Sequence, residues 1–218
     1  MKNLTNVYRL YFKNQKFLIA VGLGLLWLGL GLVANFYAGM YATESASNAV
    51  TDMILDNIPV FDVDIFFVYG PVLLWCFIAW FCLTKPQRIP FVLKSIALFV
   101  LIRSLFISLT HIGPFPDRIV IDYTSDLVKK FTFGGDLFFS AHTGLPFLMA
   151  LVFQKQKKLF IWLVLAAIFF GIIVLLGHLH YSIDVLSAFF ITYSIYHLAL
   201  VLFKKDWHLF SEGLVHQN

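Results

Sequence analysis

Charge is what this chain has least of. Asp, Glu, Lys and Arg make up 13% of its 218 residues, against about a quarter in a soluble domain. A water-exposed surface cannot be built from so few charges, so a soluble globular protein is excluded. Cysteine is scarce as well. Cys76 and Cys82 lie in one apolar run, are expected as free thiols against helices or lipid, and say nothing about redox compartment. No internal repeat, low-complexity tract or linker divides the chain, and residues 1–218 read as a single membrane domain. A cleavable signal peptide is not expected either, because the first apolar stretch, about 17–37, is too long for one and lacks a clear cleavage site.

What fills the chain instead is hydrocarbon. It is 60% hydrophobic, with a mean hydropathy of +0.84 and 25 Phe residues. Six apolar runs have roughly the 17–25 residues needed to cross a bilayer: about 17–37, 65–83, 90–112, 137–153, 159–176 and 183–203. Lipid-exposed backbone must satisfy its own hydrogen bonds, so these runs predict helices rather than an open sheet. The expected fold is an all-α integral membrane protein, a six-transmembrane-helix bundle.

The few charges set an orientation. Lys2, Arg9, Lys13, Lys16, Lys85, Arg88, Lys94, Lys155, Lys157, Lys158, Lys204 and Lys205 place 12 of the 16 basic residues on one side, which the positive-inside rule makes cytoplasmic. Both termini are then expected there. Glu44, Asp52, Asp56, Asp62, Asp64, Asp117, Asp122, Asp126 and Asp136 fall on the other side. The net charge of +4 is split among short turns that anchor to anionic headgroups, and it calls for no nucleic-acid partner. A multi-pass protein of a bacterial inner membrane is the expected setting.

Chemistry concentrates in two segments at the non-cytoplasmic ends of predicted helices. One is Gly134-Gly135-Asp136-Leu137-Phe138-Phe139-Ser140-Ala141-His142-Thr143. The other is His178-Leu179-His180-Tyr181-Ser182-Ile183-Asp184. Ionisable groups beside lipid are costly and mark function. If His180 begins a helix, Asp184 lies one turn along the same face. Its carboxylate can accept the Nδ1 proton and turn Nε2 outward as a nucleophile or base. His142, on another helix, can approach from the opposite side as acid and base, and two imidazoles flanking one centre suit phosphoryl chemistry. Gly134 and Gly135 leave amides open to an anion at a helix N-terminus. Asp136 repels a phosphate there, yet can orient a histidine or meet a cationic head group. Arg103, the one charge deep in the third helix, either touches a substrate phosphate or pairs with an acid. Tyr69, Tyr123 and Tyr181 are aromatic faces for a quaternary ammonium or simply core. His178 with His142, His180 and Asp184 also spells a metal site, although alternate residues on a helix diverge.

Ser140-Ala141-His142-Thr143 and His180-Tyr181-Ser182-Ile183-Asp184-Val185 resemble the third and fourth signature motifs of the sphingomyelin synthase family. That family sits within the type 2 phosphatidic acid phosphatase (lipid phosphatase/phosphotransferase) superfamily. The likeness spans about 95–200, with weaker echoes at Arg103–Thr110 and Ile58–Asp62. It implies six membrane helices, a site facing away from the cytosol, and a His-His-Asp triad with no metal or cofactor. By motif position His180 is the nucleophile, Asp184 its partner and His142 the acid/base. Arg103, Gly135, Asp136, Ser140 and Tyr181 are the expected substrate-contacting set, and His178 supports the site from behind. Partners are then a phospholipid donor and a ceramide, diacylglycerol or similar lipid acceptor. Two departures stand out. The Lys and Arg-Pro signature of ordinary lipid phosphatases is missing, and Ala141 replaces the usual Gly. Water as acceptor would make the same residues a phospholipase C-type hydrolase or phosphatase. Polar intramembrane residues alone would also permit a non-catalytic lipid-binding or transport protein.

Overall fold

The structure, a computed structural model, describes residues 4–119 and 135–214. Lys2, Asp122, Tyr123, Asp126, Gly134 and His216 lie outside the described residues. Within them the chain is all-helical. A short amphipathic helix α1 (Leu4–Lys13) leads into α2 (Gln15–Glu44), which Asn14 caps by accepting the Phe17 N–H at 3.0 Å. Then follow α3 (Asp64–Leu83), α4 (Ile89–Leu109), α5 (Ala141–Val152), α6 (Lys157–Leu176), α7 (Ser182–Leu202) and α8 (Lys204–Glu212).

Five of these helices are long and apolar enough to cross a membrane: α2, α3, α4 with its preceding turn, α6 and α7. The protein is a multi-pass integral membrane protein. The fourth predicted span behaves differently. The apolar run 137–153 becomes helical only from Ala141 and stops at Val152. Twelve residues at 1.5 Å each cover about 18 Å, well short of the roughly 30 Å hydrocarbon core. Residues 135–140 are irregular backbone instead.

Lateral packing follows from side-chain size. Along α2 the buried positions Gly24, Gly31 and Ala38 recur every seven residues. A Cβ on Gly24 would lie 3.0 Å from the Leu93 Cβ, so α2 lies directly on α4. Small-residue seams replace the hydrophobic effect as the device for bringing helices together in lipid. The core proper lies between α4, α5, α6 and α7. Phe91, Phe99, Phe139, Leu148, Met149, Phe153, Leu163 and Ile195 are almost wholly buried there. α3 is the loosest member, with Leu74, Ile78 and Cys82 its buried positions.

At the end where α3 meets α4, aromatic and ionic contacts hold the short helices. Tyr8 donates to the Leu83 carbonyl at 2.6 Å, and Tyr11 donates to Gln87 Oε1 at 3.0 Å. Lys94, among the flanking basic residues on sequence grounds, lies inside α4 and pairs with Asp206 of α8 at 2.6 Å, both side chains about 10% exposed. Removing one partner strands a buried charge. Lys94→Ala or Asp206→Ala should therefore cost about 3–5 kcal/mol, whereas Lys94→Met with Asp206→Leu should recover most of it. Thermal unfolding in detergent micelles measures the difference.

Candidate active site

The candidate site lies at the opposite end, where α5 and α7 begin. Its frame is the segment 135–140, whose polar backbone needs partners once it leaves water. Arg103, on α4 and 5% exposed, supplies them. Its Nε donates to the Phe139 carbonyl at 2.8 Å and Nη2 to the Asp136 carbonyl at 2.7 Å. Nη1 donates to Asn35 Oδ1 at 3.3 Å and reaches the Asp136 carboxylate at 3.4 Å. Of the two readings the sequence offered for Arg103, the pairing with an acid is the arrangement present.

Gly135 differs from the expectation of an amide open to an anion. Its N–H donates to Thr43 Oγ1 at 3.1 Å. A Cβ there would fall 2.7 Å from the Thr43 Cα and 2.8 Å from the Ala42 carbonyl. Glycine is required because the segment passes directly against the end of α2. Ser140, fully buried, precedes α5. Its N–H donates to the Asp184 carbonyl at 3.1 Å, which fastens the start of α5 to the first turn of α7.

His142 lies in the first turn of α5, with its ring stacked on Phe67 of α3 at 4.2 Å and 22°. Beside it opens an apolar cavity of about 140 Å³ lined by Pro71, Leu74, Trp75, Leu145, Pro146 and Phe170. Ser140, one residue before α5, is bonded to the first turn of α7, so the first turn of α5, which carries His142, lies against the start of α7.

His180 does not begin a helix. α6 ends in a Schellman turn: Leu179 N–H donates to the Val174 carbonyl at 2.9 Å, and His178 N–H to that of Leu175 at 3.0 Å. His178 occupies the left-handed position, φ 52°, where glycine is more usual. Its ring is buried edge-on to Phe115, and among the described residues neither ring nitrogen has a hydrogen-bond partner. α7 starts only at Ser182. The His180–Asp184 contact is therefore made across a helix cap. Asp184, fully buried, turns its Oδ2 back to accept the Tyr181 N–H at 2.9 Å, and His180 Nδ1 lies 3.4 Å from the same oxygen. Asp184 Oδ1 is buried and unpartnered. Among the described residues, no three His, Cys, Asp or Glu side chains gather as metal ligands.

Tyr181 was expected on the substrate. It is 2% exposed, donating to the Gly113 carbonyl at 2.8 Å and accepting the Val50 N–H at 3.2 Å. Burial pushes its phenol up, against the opposing Val50 hydrogen bond and with help from the nearby carboxylates of Asp184, Asp52 and Asp56, so it stays a neutral donor. With Leu55, Phe115 and Leu137 it forms a small second core above the site. On sequence grounds Asp52 is one of several acids on the non-cytoplasmic side. The fold buries it to 6% exposure and sets it on the start of α7. Nothing local in the sequence marks it, since its partner Ser182 is 130 positions away.

Residues 134–200 match the family model described as PAP2 superfamily C-terminal. The match covers the 135–140 segment, α5, α6 and α7 as far as Leu200. No curated protein and no solved structure gives a match to the chain.

Two predictions follow from these contacts. Arg103→Lys keeps the charge but loses the fork that serves two carbonyls, and should cost about 2–4 kcal/mol of stability. Hydrogen exchange at residues 137–142 should quicken with it. For Asp52, burial alone would raise the carboxyl, but hydrogen bonds from Ser182, Ile54 and Leu55 outweigh it and hold the group below the usual range. A folded pKa below the unfolded one contributes stability above about pH 4, lost as pH falls through the folded value. Asp52→Asn should then be less stable than the parent at neutral pH and converge with it in acid. Unfolding midpoints across pH 3–7 check this.

Proposed function

We propose that this protein is a membrane lipid phosphotransferase of sphingomyelin synthase type, which moves a phospho-head-group from a phospholipid to a ceramide-like or other lipid hydroxyl. PAP2 superfamily membership of the C-terminal region suggests lipid phosphatase or phosphotransferase activity. The observation that supports the finer reading is the Ser140 N–H bond to the Asp184 carbonyl, which sets the first turn of α5, and His142 with it, against the helix start that carries the buried His180–Asp184 pair.

The chemistry uses only these groups. Asp184 fixes His180 with its Nδ1 proton inward, leaving Nε2 free as nucleophile. Nε2 attacks phosphorus, the bond from phosphorus to the glycerol oxygen breaks, and His142 gives that oxygen a proton. The products are diacylglycerol and a phosphohistidine. His142, now neutral, takes the proton of an acceptor hydroxyl. The new alkoxide attacks phosphorus, the P–N bond breaks, and His180 is restored. Asp184 steadies the cationic imidazole in both halves. The positive ends of α5 and α7 favour the phosphate during transfer.

The apolar cavity beside His142 supports a lipid as leaving group. A hydrocarbon chain can rest against Leu74, Trp75 and Leu145 while its oxygen meets the imidazole. In this reading residues 135–140 and α5 together make the sixth crossing. Both termini are cytoplasmic, and the site opens on the other side of the membrane. Water is chemically equivalent to an alcohol as acceptor, so transfer rather than hydrolysis rests on what the pocket excludes.

Purified protein in vesicles with mixed phospholipid donors should yield diacylglycerol and, when ceramide is added, the corresponding phosphosphingolipid by lipid mass spectrometry. His180→Ala and Asp184→Asn should lower turnover by about 10³-fold or more without unfolding. An acid-labile phosphoryl label should appear on the parent and be missing from His180→Ala. Substantial activity in His180→Ala would remove the nucleophile assignment.

A further inference from the structure

The segment between α2 and α3 is tied across the mouth of the site. Ser47 N–H donates to the His111 carbonyl at 2.8 Å, Gly113 N–H to that of Asn48 at 3.2 Å, and Phe61 N–H to that of Leu176 at 2.8 Å. Its most concentrated attachment is Asp52. Oδ2 accepts both the Ser182 N–H at 2.7 Å and the Ser182 hydroxyl at 2.8 Å. Oδ1 accepts the N–H groups of Ile54 at 2.9 Å and Leu55 at 3.2 Å. The Asp52 N–H donates to Asp56 Oδ2 at 2.9 Å, closing the turn on itself.

Successive peptide N–H groups at the start of α7 are thus shared between two carboxylates. Asp184 takes that of Tyr181, and Asp52 takes that of Ser182. Asp184 lies in the first turn of the same helix, but Asp52 comes from a different part of the chain. His180 precedes both bonded peptides and has no helical hydrogen bond of its own to fix it, because α7 begins only at Ser182. Its ring has one described partner, the 3.4 Å contact to Asp184. The direction of the imidazole therefore depends on the Tyr181–Ser182 backbone staying where the two acids hold it.

From this we infer that Asp52 is a positioning residue for the catalytic centre. It acts as a helix cap delivered from the α2–α3 segment, setting the orientation of His180 relative to Asp184 without touching substrate. The inference rests on the functional reading above for its kinetic consequence, but not for its geometric one. Loss of the cap lets the first turn of α7 relax, lengthens an already long His180–Asp184 contact, and lowers the fraction of His180 aimed at phosphorus. Binding of the lipid, which falls to the apolar cavity, is spared.

The test combines kinetics with a direct view of the ring. Asp52→Ala should lower kcat about 10–100-fold while KM stays within about threefold, the signature of a misaimed group rather than a lost binding contact. Asp52→Asn keeps one acceptor oxygen and should lose less, about 3–10-fold. Protein labelled with ¹⁵N-histidine in micelles, with His180 assigned by its loss in His180→Ala, should show the Nδ1 resonance of His180 shifted in both variants. Asp62→Asn, a charge loss on the same segment away from Ser182, should change neither readout. If Asp52→Ala fails to fold, Ser182→Ala removes one of the two bonds to Oδ2 and should move the same resonance in the same direction. Parent-like kcat and an unmoved His180 resonance in the folded Asp52 variant, or an unmoved resonance in Ser182→Ala, would overturn the inference. A parent protein that turns over no lipid would instead defeat the functional reading, and the resonance would still decide the role of Asp52.

Discussion

An irregular stretch of backbone has to be held inside a bundle that offers it no water, and Arg103 holds it. Residues 135–140 leave their carbonyls without helical partners in a region surrounded by Phe106, Phe138 and Phe139 rings. In such surroundings each unmatched polar group costs several kcal/mol. One guanidinium answers two of those carbonyls and a carboxylate together. A lysine, with a single compact ammonium, cannot serve the same spread of acceptors. The consequence reaches the site directly. Because 135–140 stays unwound, α5 starts part-way into the bundle, and its first turn presents His142 among buried neighbours.

The second half of the site depends on a different device. His180 sits in the gap between a helix that has ended and one that has not begun. A Schellman turn closes α6 with His178 in the left-handed position, and the cap of α7 draws on two acids. A residue in such a gap has fewer backbone constraints than one inside a helix, so its orientation must come from tertiary contacts. The second core of Leu55, Phe115, Leu137 and Tyr181 supplies the packing that keeps those contacts in place. The Ser140-to-Asp184 hydrogen bond then ties the two halves to one another.

Side chains singled out by the motifs also do mechanical work. Each closes a backbone junction: Arg103 on the segment before α5, Gly135 against the end of α2, and Tyr181 on the Gly113 turn. Bringing two histidines together beside hydrocarbon demands a scaffold of satisfied polar groups around them. Motif residues next to a reactive one are drawn from that scaffold as readily as from the contact surface.

Sequence alone determined the class of fold and singled out the candidate reactive groups. Hydrophobic runs with so little charge have no stable state outside a bilayer, and helices are what satisfy their backbone there. Two motifs of unusual composition marked His142, His180 and Asp184. Five of the six runs are long apolar helices, because length and hydropathy are local properties, although the first runs on to Glu44, past its expected end at 37. Only the tertiary structure decided the rest. The run 137–153 looks like a span, yet its first residues stay unwound because Arg103, on another helix, pays for their carbonyls. The His180–Asp184 spacing read as one face of a helix, yet the chain turns at His178 and joins the two through a cap. Asp52 read as one of several acids on the non-cytoplasmic side, since nothing within reach along the chain distinguishes it from Asp56 or Asp62. Its identity as a cap exists only once residue 182 has been folded against it. Contacts between groups so far apart in the chain leave no periodicity to read.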